Sequence, residues 1–136
     1  MPASREEHLK IMAWWEADNR IFGQQVPPSE YFDFLESVRR LEANEPQWKD
    51  RRWVVQLVTQ AFVSGLEMKG IKPDSEEQYR SRIEQIVANL EHPFMAKHLL
   101  EQTLELATSA SEALDLIEEC LRYMALGRIW AETLPL

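Results

Sequence analysis

The stretch W V V Q L V T Q A F V S G L E M, from Trp53 to Met68, decides the fold of this chain. Ten of its sixteen residues are apolar. The polar ones, including Thr59, do not alternate as they would in a half-buried strand; four of them, Gln56, Gln60, Ser64 and Glu67, recur at spacings of four, four and three. This spacing predicts a helix with one thin polar stripe. Such a helix must be covered on several sides, so we predict that it is the hub of the fold.

Length and composition predict one domain that spans residues 1–136, with residues 128–136 as a docking tail. A chain of 136 residues buries roughly two-thirds of the surface that its unfolded form exposes, so it can fold without a metal or disulfide. Cys120 is the single cysteine, which excludes an intramolecular disulfide. The first ten residues lack the apolar core of a signal peptide, and no apolar run is long enough to span a bilayer. The cytoplasm is therefore the expected compartment.

Proline, glycine and capping residues divide the rest of the chain into further helices. The predicted helices cover about 4–22, 29–44 with Ser29 as its cap, 46–69, 75–91 after Asp74 or Ser75, 93–107, and 109 to Gly127 or beyond. They predict an all-α, irregular bundle of about six helices around a buried central helix, 46–69. Two HEAT-like helix pairs, opened by Pro46 and Pro93, are the alternative architecture.

Buried faces are expected on the later helices too, because their apolar residues recur at helical spacing. The expected inward residues are Tyr79, Ile83, Ile86, Val87, Leu90, Leu99, Leu100, Leu104, Ala107, Leu114, Ile117, Leu121 and Met124.

The formal net charge of −8 narrows the classes of partner. General affinity for DNA or RNA comes from Lys and Arg that neutralise phosphates, so no nucleic-acid partner is expected. Binding to an acidic membrane surface is disfavoured for the same reason. The charge is compatible with a basic protein partner, and with the commoner case of a surface charged only for solubility.

No catalytic, metal-binding or cofactor-binding motif stands out. His98, Glu101 and Glu105 share one helix face and could offer three ligands to a cation, but an ordinary solvated helix face explains them as well. Cys120 follows two acidic residues, whose charge would raise the thiol pKa and leave less of the reactive thiolate. The four glycines occur in no nucleotide-binding pattern. We therefore expect no cofactor, no metal and no enzymatic activity.

A basic cluster interrupts the acidic chain. It places a third of all basic residues within fourteen positions and leaves that segment at +2 and the remainder at −10. Its members are Arg39, Arg40, Lys49, Arg51 and Arg52. Several of them fall in the first turns of the central helix, where the helix dipole favours acids, and a broken local rule can mark a functional site. They either pair with acids of the same chain or dock an acidic or phosphorylated partner.

The aromatic residues near the two ends of the chain are the second candidate surface. Trp14 and Trp15 lie in the first predicted helix, and Trp130 lies in the tail. Tryptophan is enriched where two surfaces meet, so these residues either pack on their own domain, bind a partner or support a homodimer.

These observations predict a non-catalytic protein-binding module with an acidic surface. An inhibitor or immunity-type protein is its favoured form, since a small acidic chain can cover a basic cleft; an adaptor and a secretion-type chaperone are the other forms. The alternative from another class is a small helical enzyme or ligand carrier with a pocket between helices.

Overall fold

The computed structural model describes residues 5–23 and 25–132, and it describes their side chains except for Glu6 and residues 126–132. The described residues form six α-helices and no strand, which confirms the all-α fold. The helices are α1 Arg5–Phe22, α2 Pro28–Asn44, α3 Arg51–Met68, α4 Glu76–Asn89, α5 Phe94–Leu106 and α6 Ala110–Glu132. A 3₁₀ helix covers Pro46–Lys49. Within this part of the chain, no helix is long and apolar enough to cross a membrane.

Contacts within the chain define two compact units. One consists of Met1–Ser37 and Glu118–Leu136, and the other of Val38–Ile117. The single-domain organisation and the docking tail at residues 128–136 stay predictions. The backbone of α6 is helical through Glu132, so Gly127 does not end that helix.

The predicted hub helix organises the unit Val38–Ile117. The hub helix is α3, and it packs against α4, α5 and the 3₁₀ helix. The polar stripe of α3 is exposed as predicted, at Gln56, Gln60, Ser64 and Glu67. The other faces are buried, at Val54, Val55, Val58, Thr59, Phe62 and Leu66. Thr59 is the one polar residue among them, and its hydroxyl donates to the carbonyl of Val55 at 2.6 Å, which satisfies it inside the apolar layer.

Two predicted helix starts were wrong, each for a local reason. The central helix does not run unbroken from Pro46, because Asp50 adopts an extended conformation after the 3₁₀ helix and caps a new helix. Its carboxylate accepts from the backbone amides of Arg52 and Trp53 at 3.1 and 3.4 Å. The second helix begins at Pro28 instead of after a Ser29 cap. Proline suits a first helical position because it has no amide hydrogen to leave unpaired.

Close contacts fix α5 against α3. A Cβ atom added to Gly65 of α3 would stand 2.8 Å from Cδ1 of Leu104, so a side chain at residue 65 would require the Leu104 side chain to move. The ammonium group of Lys69 donates to the carbonyls of Leu104 and Ala107 and thereby satisfies the open C-terminal end of α5. The 3₁₀ helix adds Trp48, which meets the ring of Phe94 edge-on at 4.8 Å.

The inward faces predicted for α4 and α5 are confirmed. Ser75 caps α4, and its hydroxyl accepts from the amide of Gln78. Ser109 caps α6, because its hydroxyl accepts from the amide of Glu112 at 3.1 Å, and the Glu112 carboxylate accepts from the amide and hydroxyl of Thr108. The buried residues are Tyr79, Ile83, Ile86, Val87, Leu90, Leu99, Leu100, Leu104 and Ala107, with Leu114 and Ile117 on α6. Leu121 and Met124 are half-buried.

Candidate functional site

Helices α3 and α4 lie antiparallel, and two contacts set their register. At one end, the guanidinium of Arg51 in the first turn of α3 donates to the carbonyl of Val87 in the last turn of α4. Farther along α3, the ring of Phe62 meets the ring of Tyr79, near the start of α4, edge-on at 5.2 Å. The two helices therefore run past each other over about three turns.

A groove of about 500 Å³ follows this helix pair. Its buried apolar walls come from Val55 and Val87, one on each helix. The remaining lining residues are all exposed. They are Arg51, Arg52, Gln56, Arg80, Glu84 and Ala88. The groove is therefore open to solvent along its rim and carries three positive charges and one negative charge.

The three arginines have different roles. Arg51 is engaged within the protein, because its guanidinium donates to the carbonyl of Val87 in the last turn of α4, which also accepts the backbone amide of Leu90 at 3.3 Å. The side chains of Arg52 and Arg80 make no hydrogen bond or ion pair with any residue that the structure describes. Their charges are available to a ligand.

The structure brings only part of the predicted basic cluster to this groove. Arg51 and Arg52 line it, whereas Arg39 and Arg40 on α2 and Lys49 in the 3₁₀ helix do not. Arg39 and Arg40 each have an interaction with another residue of the chain. These positions are neighbours in the sequence, but the groove is defined by the pairing of two helices.

Sequence reasoning missed Arg80. It lies 28 positions after Arg52, so no local cluster contained it. The sequence signal that could have identified Arg80 is its spacing: it precedes Glu84 by four residues and Ala88 by eight, so the three share the outer face of α4. Only the pairing of α3 with α4 makes that face part of a site.

The tryptophans of the predicted aromatic surface that the structure describes pack inside the first unit. Trp14 is 2% exposed and packs edge-on against Tyr31 at 4.8 Å and Phe34 at 5.1 Å, so its ring lies in the interior of the first unit. Trp15 is half-buried and donates its indole N–H to the carbonyl of Val26. Both side chains thus have packing roles within their own unit. The side chain of Trp130 lies outside the described residues.

A buried polar cluster lies in the first unit. Tyr31 donates its hydroxyl to Asp18 at 2.9 Å, and both residues are buried. Burial, with the charge of Asp18 second, raises the pKa of the Tyr31 hydroxyl well above its usual range. Burial, followed by the charges of Asp18 and Glu119, raises the pKa of the Cys120 thiol to about 12. The thiol is therefore protonated at neutral pH and is a poor nucleophile in this state.

The candidate cation ligands do not converge. In the part of the chain that the structure describes, no group of three or more His, Cys, Asp or Glu side chains is placed to hold a metal ion. Burial lowers the pKa of His98, which leaves its imidazole neutral at pH 7.

Comparison of the chain with protein-family models, with curated proteins and with solved structures gave no match. Exposed guanidinium groups beside an apolar wall can bind carboxylates or phosphates through paired N–H donors. The lining contains no Ser, Cys, His, Lys or Tyr side chain that could act as a nucleophile.

Proposed function

We propose that this chain is a non-catalytic protein-binding module that docks an acidic segment of another protein in the groove between α3 and α4. The observation that supports the proposal is the position of Arg52 and Arg80 on the rim of an apolar groove, where their side chains bond to no described residue. A charged rim around an apolar centre is the usual composition of a protein-binding surface.

The charge of the whole chain supports the choice of an acidic segment. A net charge of −8 repels an acidic partner from most of the surface, so productive contact is favoured only where positive charge is concentrated. Charge complementarity of this kind contributes to selectivity and to the rate of association more than to affinity.

A protein segment suits this groove better than a small molecule. Pockets for small ligands are concave and enclose most of the ligand, with a few polar groups that converge on it. Here the arginines, Gln56 and Glu84 stand exposed along an open rim. This argues against the helical enzyme or ligand carrier that the sequence left open, and it favours the adaptor form of a binding module. The inhibitor form, with a basic partner on the acidic surface, is the competing outcome.

The experiment compares two helical probe peptides, one rich in Glu and Leu and the other rich in Lys and Leu. Amide chemical shifts of the labelled protein are followed by NMR as each peptide is added at low salt. We expect the acidic peptide to shift the amides of Val55, Gln56 and Ala88. The substitutions Arg52→Glu and Arg80→Glu together should abolish this binding.

A matched double variant controls for net charge. Lys72 and Arg122 are exposed and lie outside the groove, and Lys72→Glu with Arg122→Glu changes the charge of the chain by the same amount. It should lose only the part of the affinity that arises from long-range attraction, which added salt also removes. Binding of the basic peptide alone, or equal losses in the two double variants, would refute docking in the groove. Arg51 is left unchanged because its loss would also remove a structural hydrogen bond.

A further inference from the structure

The charges along the groove follow a fixed order. On α4, Arg80, Glu84 and Ala88 stand four residues apart and form one row with steps of about 6 Å. Arg52 lies level with the Ala88 end of this row, because the preceding residue of α3 binds the last turn of α4. The order is therefore positive, negative, positive. Arg80 and Arg52 stand about 12 Å apart along the groove, with Glu84 between them.

Glu84 is not neutralised by its neighbours. It is exposed, and its carboxylate makes no hydrogen bond or ion pair with a described residue, although Arg80 precedes it by one helical turn. A carboxylate between two arginines repels a purely acidic ligand at the centre of the groove. Such a repulsive element contributes to specificity because it penalises the wrong partner more than it weakens the right one.

We infer that the groove selects an amphipathic helix that carries acidic residues at positions i and i+7 and a Lys or Arg at i+4. The two acids face Arg80 and Arg52, and the basic residue faces Glu84. This inference rests on the proposed function and specifies the segment that the groove accepts.

Helical geometry matches the spacing of the three charges. Positions i, i+4 and i+7 share one face of a helix and span about 10 Å, and the long arginine side chains cover the remaining distance. An apolar residue at i+3 lies on the same face and reaches the wall formed by Val55 and Val87. In an extended segment, residues i, i+2 and i+4 share one face at steps of about 6.6 Å and could also meet the three charges, but every residue between them points to the opposite face. Such a segment could not contact both arginines and also place an apolar side chain from between them on the wall of Val55 and Val87.

The test uses three alanine-rich helical peptides of equal length with Leu at i+3. They differ only at i, i+4 and i+7, which read Glu-Lys-Glu, Lys-Glu-Glu or Glu-Glu-Glu. The first two have the same net charge, so their comparison removes general attraction. Affinities are measured by fluorescence anisotropy, and circular dichroism checks that the peptides are equally helical. We expect the wild-type chain to bind Glu-Lys-Glu about fivefold more tightly than either other peptide.

Charge reversal of the central residue should change the ranking. Glu84→Lys should make Glu-Glu-Glu the tightest ligand. Glu105→Lys, an equal charge change at an exposed position on α5 outside the groove, should leave the wild-type ranking intact. If the wild-type chain binds Glu-Glu-Glu at least as tightly as Glu-Lys-Glu, or if Glu84→Lys does not alter the ranking, the inference is wrong while acidic docking stands. If no peptide binds, or if the Arg52 and Arg80 double reversal has no effect, the proposed function fails together with it.

Discussion

Truncation of Phe62 tests whether α3 is the hub of its unit. The side chain is fully buried and touches Tyr79 of α4, so Phe62→Ala removes a whole ring from the contact between two helices. Removal of a buried phenylalanine costs about 3–5 kcal/mol, which combines the lost apolar burial with the cavity left behind. Domains of this size have a total stability of about 5–15 kcal/mol, so the variant should retain only a fraction of it. The melting temperature should fall by about 15 °C.

The assay is urea unfolding followed by far-UV circular dichroism, together with hydrogen exchange of the α3 amides as a local readout. Gln60→Ala is the matched control, because Gln60 lies on the exposed stripe of the same helix. Its free energy of unfolding should stay within about 0.5 kcal/mol of wild type. Val58→Asp goes further and should unfold the unit, since it places an unpaired charge at a position that is 1% exposed. If Phe62→Ala and Gln60→Ala have equal stability, α3 is not the hub.

Three further predictions concern single contacts. Asp50→Ala should lower the free energy of unfolding by about 1 kcal/mol because the cap of α3 is lost, and an unchanged urea midpoint would refute this role. Lys69→Met should cost about 1–2 kcal/mol, because two carbonyls at the end of α5 lose their charged donor, whereas Lys72→Met, at an exposed position with no such contact, should change the urea midpoint little. Cys120 should resist a thiol-specific disulfide reagent at pH 8 in the native protein and react at once in urea, since its pKa of about 12 keeps it protonated and buried. The stability gained from this protonated thiol should be complete below about pH 8.5 and decrease as the pH rises toward 12, and rapid native labelling would contradict the burial.

Much of the fold was predictable because hydrophobic spacing directly reports burial. The stripe of Gln56, Gln60, Ser64 and Glu67 on α3 marked the single exposed face of the hub, and the narrow apolar face of α4 marked its packing side. The starts of the helices were harder to predict from the sequence, because neighbouring residues compete to cap the same helix. Asp50 accepts two amides and restarts the helix after Pro46, although a single helix through both residues agrees equally well with the hydrophobic pattern.

The candidate site was only half predictable. The local excess of positive charge pointed to Arg51 and Arg52, because charge density is visible along a chain. It could not distinguish Arg51, whose guanidinium donates to a carbonyl of α4, from Arg52, whose charge is available. Arg80 and Glu84 join the site only through the pairing of two helices, which no local pattern specifies. The charge order of the groove is therefore a property of the tertiary structure.

The contact between Gly65 and Leu104 should restrict which residues relatives carry at these two positions. Since a Cβ at residue 65 would collide with Leu104, the two positions should change together. Relatives with Ala at the first position should carry a smaller residue at the second, and relatives that keep Gly should keep a bulky one. The pair can be tested as a volume exchange in which Gly65→Ala and Leu104→Val are each destabilising alone and partly compensate for each other when combined. The combined volume of the two side chains at this contact is then the conserved quantity, while the identities of the two residues are free to covary.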